Sequence, residues 1–197
     1  MRHARARAGF TMVETMIALV LVGLVITKLT LVMDEARRAH QEESTSMQLE
    51  DQAMLLLDKI AFAIVGASAR RLDPMLAAPL CSPNIQYQIS LGVEDGVAVW
   101  SDPEVIGLAE ENGQVYWGQN VGTEQERIVV WANTVSEMLE DELLNGIDDN
   151  GNGLLDELGL AFVVNDKGVT IRLTLERSQD DGKKRQVTRE TTVTCRN

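Results

Sequence analysis

Hydrophobic and polar positions fall into three regimes along this chain. From Phe10 to Met33 the residues are almost all apolar, and only Glu14 and Lys28 carry charge. From Ala36 to about Arg71 there is no proline and a single glycine, Gly66, and apolar residues recur at helical spacing. Ala53, Leu57, Ile60, Ile64 and Ala67 form one stripe with Leu49, Leu56 and Ala63 beside it, while Arg37, Arg38, Glu42, Glu43, Glu50 and Asp51 fall mostly elsewhere. A period of 3.6 sustained over this length predicts an amphipathic helix. No breaker separates the two regimes, so one continuous helix of about 60 residues is expected from Phe10 to roughly Arg71. Asp73-Pro74 and Pro79 then end it, because the residue before a proline is pushed out of helical geometry.

Beyond Pro83 the period changes to two. Ile85, Tyr87, Ile89 and Leu91 alternate with Gln86, Gln88 and Ser90 and read as one short strand. The turn Glu94-Asp95-Gly96 leads to Val97–Trp100, and Glu111-Asn112-Gly113 separates Val105–Leu108 from Gln114–Trp117 as a hairpin. Further strands are expected at Arg127–Ala132, Leu160–Val164, Val169–Leu175 and Gln186–Cys195. Several short strands after one helix predict an α+β fold, with an antiparallel sheet laid on the helix stripe.

The first regime has the dimensions of a membrane span. Phe10 to Met33 is 24 residues, roughly 36 Å of helix, enough for a bilayer. Lys28 is near its far end, where the stem can snorkel. Arg2, Arg5 and Arg7 precede the span with no acid among them, which puts the leader in the cytoplasm and the rest across the membrane. A secretory signal peptide would show a small-residue cleavage site after the apolar core, and here the chain runs on into Lys28-Leu29-Thr30-Leu31. Glu14 is the peculiarity, since a carboxylate in hydrocarbon is costly enough to mark function.

A basic leader, the Gly9-Phe10 junction and an isolated acid, Glu14, five places after the glycine together resemble the processing signal of type IV prepilins and type II secretion pseudopilins. The resemblance implies that a prepilin peptidase cuts between Gly9 and Phe10 and methylates the new amino terminus. It implies a pilin-like fold: leader 1–9, transmembrane helix 10–33, periplasmic half of the helix 34–72 and a β-rich domain 73–197. Length and strand content look most like minor components, the J-type pseudopilin of type II secretion or the W-type minor pilin. The expected role is a structural subunit of a periplasmic filament, anchored in the inner membrane with its amino terminus cytoplasmic. Other pilins or pseudopilins are the expected partners, with Glu14 meeting the Phe10 amino group of a neighbouring subunit. A minor pilin of a type IV pilus is the nearest alternative, and a membrane-anchored calcium-dependent adhesin that never polymerises is a second.

Charge narrows the partners further. The chain carries 18 basic and 30 acidic side chains, an excess that argues against nucleic acid. The two cysteines, Cys81 and Cys195, are expected on the oxidising side of the membrane, so a bridge between them is anticipated, with free structural thiols as the alternative.

The acids concentrate between Glu137 and Glu157, where no base occurs. Within that stretch Asp148 to Asp156 reads D-x-N-x-N-G-x-x-D. Oxygen-bearing side chains at alternate places, with a glycine for the sharp turn, are how a loop wraps a hard cation. The loop resembles EF-hand-like and thrombospondin-like calcium repeats, which implies Asp148, Asn150 and Asn152 as side-chain ligands, the Leu154 carbonyl, and Asp156 closing a structural Ca2+ site. Gly159 stands where an EF-hand has its bidentate glutamate. A solvated Asn/Asp/Gly loop is the plainer reading. His3 and His40 lack nearby partners in sequence, Trp100, Trp117 and Trp131 fall on strands, and no phosphate loop, zinc spacing or triad pattern is present. An enzyme is not expected.

Overall fold

The computed structural model describes residues 11–165, 168–178 and 182–195. The first element is α1 (Met12–Val65), followed by a 3-10 turn at Ala69–Arg71. Nine strands follow among the described residues: β1 (Asn84–Tyr87), β2 (Ser90–Glu94), β3 (Val97–Trp100), β4 (Glu104–Ala109), β5 (Gln114–Gln119), β6 (Arg127–Ala132), β7 (Leu160–Asn165), β8 (Gly168–Ser178) and β9 (Lys184–Thr194). The chain divides into two units, one up to Thr45 and one from Ser46 onward, and α1 contributes residues to both. The expected α+β, pilin-like architecture is present: a long apolar N-terminal helix and a C-terminal antiparallel β domain.

In the second unit, Leu49, Ala53, Leu56, Leu57, Ile60 and Ile64 form the buried face of α1. They share one core with Ile85, Tyr87 and Ile106 of the first strands and with Leu160, Phe162, Ile171 and Leu173 of the last. The periodic stripe in the sequence is therefore the helix face that packs, as removal of apolar surface from water requires.

The helix stops earlier than its pattern suggests. Ala67 donates its N–H to Ile64 at 2.8 Å and forms a bridge with Ile89, so the chain leaves helical geometry at Gly66, the residue that favours it least. The same contact breaks the expected Ile85–Leu91 strand in two. Ile89 is held by Ser101 Oγ at 3.0 Å and Gln88 accepts from Ser68, so pairing with β4 ends at Tyr87.

Instead of one sheet there are three among the described residues: β1-β4-β5-β6, the hairpin β2-β3, and β7-β8-β9, all antiparallel. Ser82 joins the first sheet to the last, exchanging main-chain bonds of 3.0 and 2.8 Å with Phe162 on the free edge of β7. On the polar face of β8-β9, Thr170 meets Thr192 at 3.0 Å and Thr174 meets Thr188 at 2.8 Å, with Arg172 against Glu190 between them. Cross-strand pairs of this kind hold register. The segment from 134 to 159 starts and finishes on β8: Ser136 donates to Thr174 O at 2.9 Å, and Thr174 donates to Gly159 O at 2.8 Å. That excursion carries the acidic turn.

Candidate functional site

At the amino-terminal site, Thr11 precedes the first helical residue and its Oγ1 accepts the N–H of Glu14 at 3.3 Å. Thr11-x-x-Glu14 is a capping-box spacing, which satisfies an otherwise orphaned helix donor. Glu14 thus sits in the first turn of α1, where the helix dipole favours a carboxylate. Gly9 and Phe10 lie outside the described residues.

The polar side chains of the following turns are arranged for an apolar solvent. Thr15 donates its hydroxyl to Met12 O, Thr27 to Gly23 O and Thr30 to Thr27 O, each at 2.8 Å. With those hydroxyls returned to the main chain, Glu14 and Lys28 are the remaining polar groups from Met12 to Met33. Every side chain in that stretch is exposed, including Leu19 at 72 % and Val20 at 64 %. An apolar surface of this extent cannot face water, whereas lipid or neighbouring helices can cover it. α1 is long and apolar enough to cross a membrane.

The acidic turn is a lattice of side-chain to main-chain hydrogen bonds. Asp148 Oδ1 accepts from Asn152 N at 3.0 Å and Oδ2 from Gly153 N at 2.8 Å. Asn150 Oδ1 accepts from Asn152 N at 3.1 Å, and Asn152 Oδ1 from Leu154 N at 2.9 Å. These are the local bonds that Asn and Asp make in turns, and Gly153 at φ 88° supplies the conformation other residues avoid. Asp156 Oδ1 clamps the opposite arm, accepting from Asn145 N and Gly146 N, both at 2.7 Å. Leu154 is buried and anchors the turn in the domain. Thus Asp148, Asn150, Asn152, Leu154 and Asp156 are brought into one turn.

Two neighbours of that motif carry unforeseen roles. Glu142 and Glu157 are buried. Glu142 Oε1 accepts from Asp156 N at 3.2 Å. Glu157 Oε1 accepts from Asn152 Nδ2 at 2.7 Å and pairs with Arg172 at 3.1 Å. The repeated Asp-Glu dipeptides at 141–142 and 156–157 are the available sequence signal, but burial of one member of each pair is a tertiary outcome. Gly159 has its own explanation: a Cβ there would come within 1.9 Å of Ser136 O. No side chain fits at the place where an EF-hand keeps its closing glutamate. Among the described residues, no three acidic, histidine or cysteine side chains converge closely enough to hold a metal by themselves. A cation at this turn would have to draw on amide and main-chain oxygens as well.

The anticipated bridge between Cys81 and Cys195 is not formed; both thiols are free. Cys81 lies beside Ser82 on the outer edge of β7, and Cys195 follows Thr194 at the end of β9. The sheet order β7-β8-β9 therefore puts three strand spacings between them, about 14 Å, whereas a disulfide needs Cα atoms about 4.4–6.8 Å apart. Cys81 Sγ instead donates to Leu155 O at 3.7 Å. Burial, and then the charge of Glu157, push its thiol up to about 11. Trp117 and Trp131 pack together at 5.4 Å, Lys59 lies 4.5 Å over Trp131, and Arg71 lies 5.1 Å over Trp100. His40 is exposed on α1.

Residues 4–27 match the family model described as the prokaryotic N-terminal methylation motif. No curated protein and no solved structure matches the chain. The matched segment covers the leader from Ala4 onward, Gly9-Phe10 and Glu14, and the fold behind it is a long helix leading into an antiparallel β domain. The chain carries a type IV prepilin-like signal on a pilin-like α+β fold.

Proposed function

We propose that the protein is a minor pseudopilin, a structural subunit of the periplasmic filament of a type II secretion system. The observation that carries this reading is Glu14, an isolated acid in the first turn of an exposed apolar helix, inside the matched methylation motif. Prepilin peptidase cleaves between Gly9 and Phe10 and methylates the Phe10 amine. The leader arginines keep the amino terminus cytoplasmic, the segment from Phe10 to Met33 spans the inner membrane, and the β domain is periplasmic.

Assembly follows from the helix. Subunits staggered along an axis make heterologous contacts, which generate a helical filament rather than a closed ring. A carboxylate in such an apolar bundle needs a cation, and the amino group at Phe10 of an adjacent subunit supplies one. The outward side of α1 in the second unit supports the same reading: Met47, Met54, Leu55 and Phe62 are 56, 57, 69 and 82 % exposed. They recur at helical spacing on the side opposite the packed stripe, where a neighbouring helix would cover them.

Intact-mass measurement on membrane-extracted protein tests the reading directly. The expected mass lacks residues 1–9 and carries one added methyl. A mass that retains Met1 would sink it and favour a membrane anchor that does not polymerise. A minor pilin of a type IV pilus shares all of this chemistry, and the genes beside this one decide between the machines: a secretin and secretion ATPase alone, or those plus a retraction ATPase and a major pilin.

A further inference from the structure

Two carboxylates are buried at the acidic turn with half of their acceptor capacity unused. Glu142 is 4 % exposed and Glu157 is 0 % exposed. Each has one oxygen tied to the turn: Glu142 Oε1 to Asp156 N, and Glu157 Oε1 to the Asn152 side chain. The second oxygen of each, Glu142 Oε2 and Glu157 Oε2, is buried without a hydrogen-bond partner. Because both oxygens share one carbon, the free ones are held against the same turn. An ionised carboxylate out of water with an oxygen that accepts no hydrogen bond is strongly unfavourable unless a cation meets it.

Among the described residues, protein cations meet this need only in part: no cation pairs with Glu142, and Glu157 is met at one oxygen. Arg172 pairs with Glu157 through Oε1 and divides its guanidinium between Glu157 and Glu190. No lysine, arginine or histidine occurs from Glu137 to Glu157, against eight acids. The turn itself adds oxygens that are already oriented. The N–H bonds to Asp148, Asn150 and Asn152 use one lone pair of each oxygen and leave another free to accept.

We propose that Glu142 and Glu157 are the charged ligands of a bound calcium ion, completed by oxygens of the Asp148–Asp156 turn. Two carboxylates balance the charge of a divalent ion, and neutral amide and carbonyl oxygens raise the coordination number. A flexible set of that kind suits calcium, which takes six to eight oxygens, better than magnesium, which demands a rigid octahedron. The missing ligand at Gly159 is thereby replaced by acids reaching the turn from the arm at 142 and the residue at 157. The ion would join the two arms of the excursion that starts and finishes on β8. This inference does not depend on the filament reading, since it concerns the second unit alone.

The test uses the full chain in detergent, stripped with a chelator and titrated with calcium, followed by calorimetry and by thermal unfolding. At calcium about 100 times Kd the Tm is expected to rise by roughly 5–10 °C. Glu142→Gln and Glu157→Gln should each weaken calcium binding at least tenfold; chelated Glu142→Gln should keep its Tm or gain a little, whereas chelated Glu157→Gln, which also takes a charge partner from Arg172, should lose Tm. Asp149→Asn, at an exposed neighbour outside the ligand set, should stay within threefold of the starting affinity. Glu142→Gln is the decisive variant because it disturbs no ion pair with Arg172. No calcium binding by the starting protein, wild-type affinity in Glu142→Gln, or an equal Tm shift with magnesium would each overturn the proposal.

Discussion

The hydroxyl of Thr11 accepts the main-chain N–H of Glu14 at 3.3 Å, so the acid of the methylation motif is also the third residue of a capped helix. Local capping and subunit assembly are therefore two separable demands on one residue. A capping contribution is small, about 1 kcal/mol for the cap residue and about 0.3–1 kcal/mol for an acid in the first turn. Glutamine at position 14 keeps the hydrogen-bonding shape and removes the charge. We expect Glu14→Gln to be inserted and cleaved normally, by intact mass, and to be lost from sheared or co-purified filaments. Normal incorporation would remove Glu14 from the assembly contact.

Two residues on opposite faces of α1 should behave in opposite ways. Ile60 is fully buried and Phe62 is 82 % exposed. Ile60→Ala is expected to destabilise the domain by about 2–5 kcal/mol in denaturant unfolding. Phe62→Ala should change stability by no more than about 0.5 kcal/mol, yet reduce recovery in filaments. If Phe62→Ala assembled as well as the parent protein, the outward stripe would not be a subunit contact.

The thiols give a redox prediction. With three strand spacings between Cys81 and Cys195, protein purified without reductant should take up two alkyl groups after unfolding in a thiol reagent, by mass. Cys195→Ser should leave Tm independent of added reductant. A mass two hydrogens short, with no alkylation, would mean that the sheet order is wrong at one end.

Alkaline stability should report two weaker acids, the buried Tyr87 phenol and the half-buried Cys81 thiol. Burial, and then the hydrogen bond to Glu104 at 2.7 Å, raise the Tyr87 phenol, and Cys81 is pushed up to about 11. Both groups hold their protons in the folded chain at pH values where the unfolded chain releases them. Their stabilisation is complete below the unfolded values, near pH 9 for the thiol and pH 10 for the phenol, and it declines as pH rises past them. Unfolding free energy should fall across pH 9–11, and Cys81→Ser should flatten the lower part of that slope. A profile level to pH 11 would contradict the desolvation of both groups.

Much of this was legible in linear order because it depends on local periodicity. The stripe from Leu49 to Ile64 is the packed face of α1, the strand expected at Arg127–Ala132 has those bounds, and Gly113 turns the β4-β5 hairpin. The Gly9-Phe10-x-x-x-Glu14 signal is likewise read from spacing alone. Where the chain divides among sheets depended on distant partners. Ile89 alternates perfectly with its neighbours yet is held by Ala67 and Ser101, which splits one expected strand into β1 and β2.

The candidate ligands divide along the same line. Asp148, Asn150 and Asn152 converge through hydrogen bonds spanning two to five residues within the turn, so their pattern could be read in the sequence, while Asp156 reaches back ten and eleven residues to Gly146 and Asn145. Glu142 and Glu157 look like other surface acids in linear order, and burial against the domain alone leaves one oxygen of each without a partner. The distance between Cys81 and Cys195 is a property of sheet order, which no count of cysteines contains. The sequence by itself determined the helix, its processing signal and the turn, because neighbouring residues specify them. The tertiary structure decided which acids are buried and which thiols stay apart, because desolvation and strand order are set by residues far away in the chain.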